Sequence, residues 1–105
     1  MEVYFDNAAT TRIRNEVVDE IKNCLLETYG NPSSTHSFGR SAKSKLENAR
    51  KVVASYLNAS PQEIIFTSGG TESDNMLIRC AVKDIGVSTI ISSRLEHHAV
   101  LHTLD

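Results

Sequence analysis

Cysteine is scarce in this sequence, and the two present, Cys24 and Cys80, lie far apart and in no CxxC pattern. That excludes a disulfide framework and a thiolate metal site, and it predicts two buried, small apolar residues in a reducing compartment. Apolar runs are short. None approaches the roughly 20 residues that cross a bilayer, and the opening MEVYFDNAATT lacks the basic and apolar regions of a secretory signal, so a cytoplasmic protein is expected. Charge of one sign is also lacking: 11 Lys and Arg against 13 Asp and Glu give a net charge of -2. Neither nucleic acid nor an anionic membrane is favoured as a partner. Internal repeats and low-complexity tracts are absent, and a small ligand is the better expectation.

What is present is the composition of an ordinary globular domain, 40% hydrophobic and 23% charged. From about Asn15 to Thr28, Val17, Val18, Ile21, Cys24 and Leu25 recur at helical spacing. YGNPSSTHSFG supplies loop residues, and helix resumes over about Ser37 to Leu57 with Phe38, Ala42, Leu46, Ala49, Val53, Tyr56 and Leu57 on one stripe. Ser60, Pro61 and Glu63 have the spacing of a cap, first-turn proline and capping-box acid. EIIFTS and VSTIISS are predicted strands, separated by a helix from Thr71 to about Lys83. Together they predict a βαβ unit with parallel strands and a right-handed crossover. HHAVLHTLD begins another helix. Two visible strands are few for a parallel sheet, so the sequence is expected to be part of a larger α/β domain.

SGGTESDN, residues 68–75, follows the first predicted strand and opens a helix. Glycines there let backbone N–H groups converge on an anion, with about half a positive charge from the helix N-terminus. A plain turn capped by Ser68 or Thr71 satisfies the same pattern, and neither P-loop lysine nor GxGxxG spacing is present. His97, after the second predicted strand, is placed either to stack on a cofactor ring and move protons or to cap and pack the following helix. His98 and His102 share the spacing of a zinc pair, but no thiolate or carboxylate completes a set, and no metal site is expected.

DNAATT, GNPSSTHSFGR, IIFTSGGTESDN and EHHAVLH occur in the order and at the spacing found in cysteine desulfurases. The chain thus resembles, over its whole length, the N-terminal segment of a class V, fold-type I enzyme dependent on pyridoxal 5'-phosphate (PLP). The resemblance implies an α/β fold, part of the three-layer, aspartate aminotransferase-like large domain. Residues 1–105 would be its N-terminal portion, ending before the lysine that carries the cofactor. By motif, Gly70 and Thr71 correspond to the pair that binds the PLP phosphate and His97 to the histidine that stacks on its ring. The Asn7–Thr11 and Asn31–His36 loops resemble segments beside the active site. The implied reaction removes sulfur from L-cysteine, giving L-alanine and an enzyme persulfide for iron–sulfur clusters or thiolated RNA. A homodimer and sulfur-acceptor or scaffold proteins are the implied partners. Neither Cys24 nor Cys80 matches the family's nucleophilic cysteine loop, and no lysine here lies in the cofactor-lysine motif, so the 105-residue chain is expected to be inactive alone. Selenocysteine lyase or another class V activity, and a non-catalytic PLP-binding or interaction segment, remain open alternatives.

Overall fold

The computed structural model describes every residue from Met1 to Asp105. The regular elements are α1 (Asn15–Glu27), α2 (Ser37–Leu57), a 3-10 turn (Pro61–Glu63), α3 (Gly70–Lys83) and α4 (His98–Leu104). They fall into two compact units, Met1–Ile64 and Ile65–Asp105. No helix is long and apolar enough to cross a membrane.

In the first unit the ends of α2 are fixed by local chemistry. His36 precedes the helix in an extended conformation, and its Nδ1 accepts the Gly39 amide at 3.3 Å. At the other end Asn58 takes the left-handed conformation, φ 51°, which lets the Ala59 amide reach the Ala54 carbonyl at 3.0 Å. Asparagine is among the few side chains that tolerate that region. Between α1 and α2 the Asn31 carbonyl accepts the Ser34 amide and its side chain accepts the Ser33 amide, both at 2.9 Å. This turn rests on the start of α2, where Gly39 is buried. A Cβ there would run into the Ser34 carbonyl and lie 2.7 Å from that of Asn31. Tyr29 stacks on Phe38 with ring centres 5.5 Å apart, and Lys45 pairs with Glu20 of α1 at 2.7 Å. The capping box appears as expected: the Ser60 amide donates to Glu63 Oε2 at 2.7 Å, while Arg50 of α2 donates to the Ile64 carbonyl.

In the second unit α3 ends where Gly86, φ 79°, turns the chain so that the Val87 amide meets the Ala81 carbonyl at 3.0 Å. Helix α4 packs against α3 and buries Ala99.

The expected strands are corrected. Residues of EIIFTS and VSTIISS form no β-ladder, and no residue of the chain is in a strand. A strand exists only through a partner, and parallel strands joined by a crossover need not be adjacent in their sheet. Here neither segment has a neighbour to bond. The buried-cysteine reading is corrected for the same reason: Cys80 is exposed and Cys24 half-buried, because nothing in the chain covers the apolar faces that carry them.

Those faces are extensive. Ala42, Ala54 and Ala99 are the buried apolar residues, while Phe5, Leu25, Tyr56, Leu77, Ile91 and Leu95 stand exposed. The chain exposes 9259 Å². Two separate compact units of these sizes would expose about 7,000 Å² together. The excess is more than twice the roughly 800 Å² that one partner buries in an ordinary interface.

Consequently the purified 105-residue chain is expected to bind a hydrophobic dye such as ANS and to elute as associated species at micromolar concentration; a dye-silent monomer would contradict this. Gly39→Ala should destabilise the first unit by about 1–3 kcal/mol through overpacking, read as an earlier denaturation midpoint. The Ser60 amide and hydroxyl hold the Glu63 carboxyl below the usual glutamate range. Its native pKa is depressed, so the capping interaction is complete above the ordinary value of roughly 4.3 and is lost as pH falls through the lower native value. A carboxyl-resolved NMR titration should show that order, and Ser60→Ala should move the midpoint upward.

Candidate phosphate cradle

Helix α3 begins at Gly70 with Gly69 at the capping position, and no side chain caps it. Neither Ser68 nor Thr71 serves as the cap that the plain-turn reading required. The first helical bond is from the Ser73 amide to the Gly69 carbonyl, 3.1 Å. The amides of Gly70, Thr71 and Glu72 therefore lack acceptors within the chain, the usual condition of a first turn without a cap. A Cβ placed on Gly69 or Gly70 would meet nothing within 4 Å, so the approach is open. Thr71 is exposed and its hydroxyl makes no hydrogen bond in the chain. Aligned amides, the positive end of a 14-residue helix and a free hydroxyl fit a small phosphate dianion.

The surrounding polar groups are occupied. Glu72 Oε2 accepts from the Ser68 amide at 2.7 Å and its hydroxyl at 2.6 Å. Those donors hold the Glu72 carboxyl below the usual range. They also engage the nearest negative charge with the preceding loop. Thr67 Oγ1 lies 2.7 Å from Ser73 Oγ, and both hydroxyls approach the Gly69 carbonyl, at 3.2 and 3.3 Å. Sequence reasoning did not single out the Ser68–Glu72 contact, Thr67 or Ser73. The available signals were the four-residue Ser68–Glu72 spacing and hydroxyls on both sides of the glycine pair.

His97 belongs to the same unit as Gly70 and Thr71, on the segment leading into α4, the helix packed against α3. Its Nδ1 accepts the Ala99 amide at 3.1 Å. The capping role thus holds, and it also places the proton of the neutral ring on Nε2 and fixes the ring in an exposed position. Capping uses an edge atom and is compatible with a role for the ring face. His98 and His102 stack with centres 5.5 Å apart, and no group of three or more His, Cys, Asp or Glu is arranged to hold a metal ion. The Asn7–Thr11 and Asn31–His36 loops belong to the first unit. Near the former, the Tyr4 hydroxyl donates to the Asp6 or Thr10 carbonyl, at 3.0 and 3.1 Å. Cys80 lies beside Asp84, whose hydrogen bond pushes its thiol pKa up, the opposite of nucleophile activation.

The chain is 50% identical over 102 residues to the cysteine desulfurase IscS of Dictyoglomus turgidum, covering 95% of this chain and 26% of that relative. It is 50% identical over 104 residues to the cysteine desulfurase IscS of Methanosarcina thermophila, covering 96% and 26% respectively. It therefore spans about a quarter of the length of these relatives. The solved structure of a NifS-like protein superposes with a TM-score of 0.88 at 43% identity, covering 99% of this chain and 29% of that one. The expected fold class is thereby upheld: the chain is a segment of the α/β, aspartate aminotransferase-like fold. Residues 3–105 match the aminotransferase class-V family, and the chain belongs to it.

Proposed function

We propose that this chain supplies the phosphate cradle and the ring-stacking histidine of a PLP-dependent cysteine desulfurase. The observation that carries the reading is the uncapped, glycine-opened start of α3, with the Gly70, Thr71 and Glu72 amides and the Thr71 hydroxyl unclaimed. It supports a cofactor bearing one phosphate group. The similarity to enzymes named cysteine desulfurase supports L-cysteine as substrate. When bound, PLP supplies an electron sink for bond breaking at the amino acid. The contribution of the chain is to hold and orient: Gly70 and Thr71 grip the phosphate, and His97, fixed by its cap to Ala99, covers the ring.

Removal of sulfur to a protein cysteine, delivery to iron–sulfur cluster or thiolated RNA pathways through acceptor proteins, homodimer formation and a cytoplasmic location belong to the same proposal. Residues 1–105 act in it as the N-terminal portion of the PLP-binding domain. Its nucleophile is neither Cys24 nor Cys80, which lie within α1 and α3 and match no part of the family's nucleophilic cysteine loop.

The test is a hybrid in which residues 1–105 replace the corresponding quarter of the Dictyoglomus relative. It should retain PLP and form alanine from L-cysteine, whereas the 105-residue chain alone should show no steady turnover. In the hybrid, Thr71→Val should weaken PLP retention by about tenfold or more, the scale of a hydrogen bond to a charged group. His97→Ala should weaken it about two- to tenfold, as loss of a ring contact. Retention unchanged in both variants would contradict the site assignment.

A further inference from the structure

We infer that Thr67 and Ser73 are positioning residues that hold the phosphate cradle in its binding geometry before the ligand arrives; this rests on the PLP reading above. The Gly69 carbonyl is the pivot. It accepts the Ser73 amide at 3.1 Å and is approached by the Thr67 and Ser73 hydroxyls at 3.2 and 3.3 Å. The hydroxyls are 2.7 Å from each other. Two hydroxyl protons can serve only two of these three contacts at once, so one hydroxyl donates to the other while the second donates to the carbonyl. Either assignment ties both side chains to Gly69, from opposite sides of the glycine pair.

The consequence follows from the planar peptide. In a trans peptide the C=O and N–H vectors point in opposite directions, so fixing the Gly69 carbonyl toward α3 aims the Gly70 N–H away from the helix, into the open space. Glycine has the largest conformational freedom to lose, and Gly69 and Gly70 have no Cβ contacts to restrain them. The hydroxyl clasp supplies that restraint from half-buried side chains that need not touch the ligand. On the other side Glu72 binds Ser68 through one oxygen, which keeps the loop closed and its charge engaged. A cradle ordered in advance spends less of its binding energy on ordering.

The probe is pyridoxine 5'-phosphate, which has no aldehyde to react with lysines, titrated in phosphate-free buffer into the cofactor-free Dictyoglomus hybrid, whose residues 1–105 are the parent chain of this test. Affinity is read from the amide NMR signals of Gly70 and Thr71, with signals of α4 as the record of the fold. The parent chain should bind with shifts at those amides. The double variant Thr67→Val, Ser73→Ala should bind about tenfold more weakly with α4 signals in place, while Thr67→Ser should bind like the parent. Undiminished affinity in the double variant would overturn the clasp. Weakening accompanied by loss of the α4 signals, or a Thr67→Ser variant as weak as the double variant, would overturn it in favour of a general packing role. A parent chain that shows no shift at Gly70 or Thr71 would overturn the PLP reading itself, and the clasp with it.

Discussion

Three backbone amides at the start of α3 have no acceptor within the chain, and the functional account depends on that deficit. A helix start ordinarily meets it with a serine, threonine, asparagine or aspartate side chain at the cap. Here the capping position is Gly69, Ser68 is directed to Glu72, and the Thr71 hydroxyl is free. The sequence contains a serine suited to a conventional cap, and the fold commits it to Glu72 instead. An anion is the partner proposed for what remains, and the glycines place no side-chain bulk in its way.

The same principle of unmet surface applies on a larger scale. The helices form and are well terminated, by His36 and Asn58 for α2 and by Gly86 after α3, but their apolar faces are largely uncovered. Local capping decides where each helix begins and ends; only tertiary partners can bury its stripe. Exposed Leu25, Leu77 and Ile91 therefore agree with a chain that spans about a quarter of its relatives' length and still follows their fold.

That division also explains what was legible in the residues. Helix α2 appears over the expected Ser37–Leu57, and α3 begins one residue earlier than expected, at Gly70. Helical periodicity and the Ser60–Glu63 box are local signals that need no distant partner. EIIFTS and VSTIISS had the composition of strands but no ladder forms, because pairing is a property of two segments and composition describes only one. Cys80 was misread because an apolar helix face reports what it is suited to bury, not whether a cover exists. At the site, the glycine pair, Thr71 and His97 were visible as motif residues. The Thr67–Ser73 contact was not, since a six-residue separation across a loop-to-helix junction has no periodic signature.

The central claim is that the start of α3 receives a phosphate group while His97 faces the attached ring. A crystal structure of the Dictyoglomus hybrid with PLP would test it most directly. The account predicts phosphate oxygens within hydrogen-bond reach of the Gly70 and Thr71 amides and the Thr71 hydroxyl, with the His97 ring stacked on the pyridine. Phosphate bound elsewhere, with the first-turn amides of α3 satisfied by water or a side chain, would contradict it.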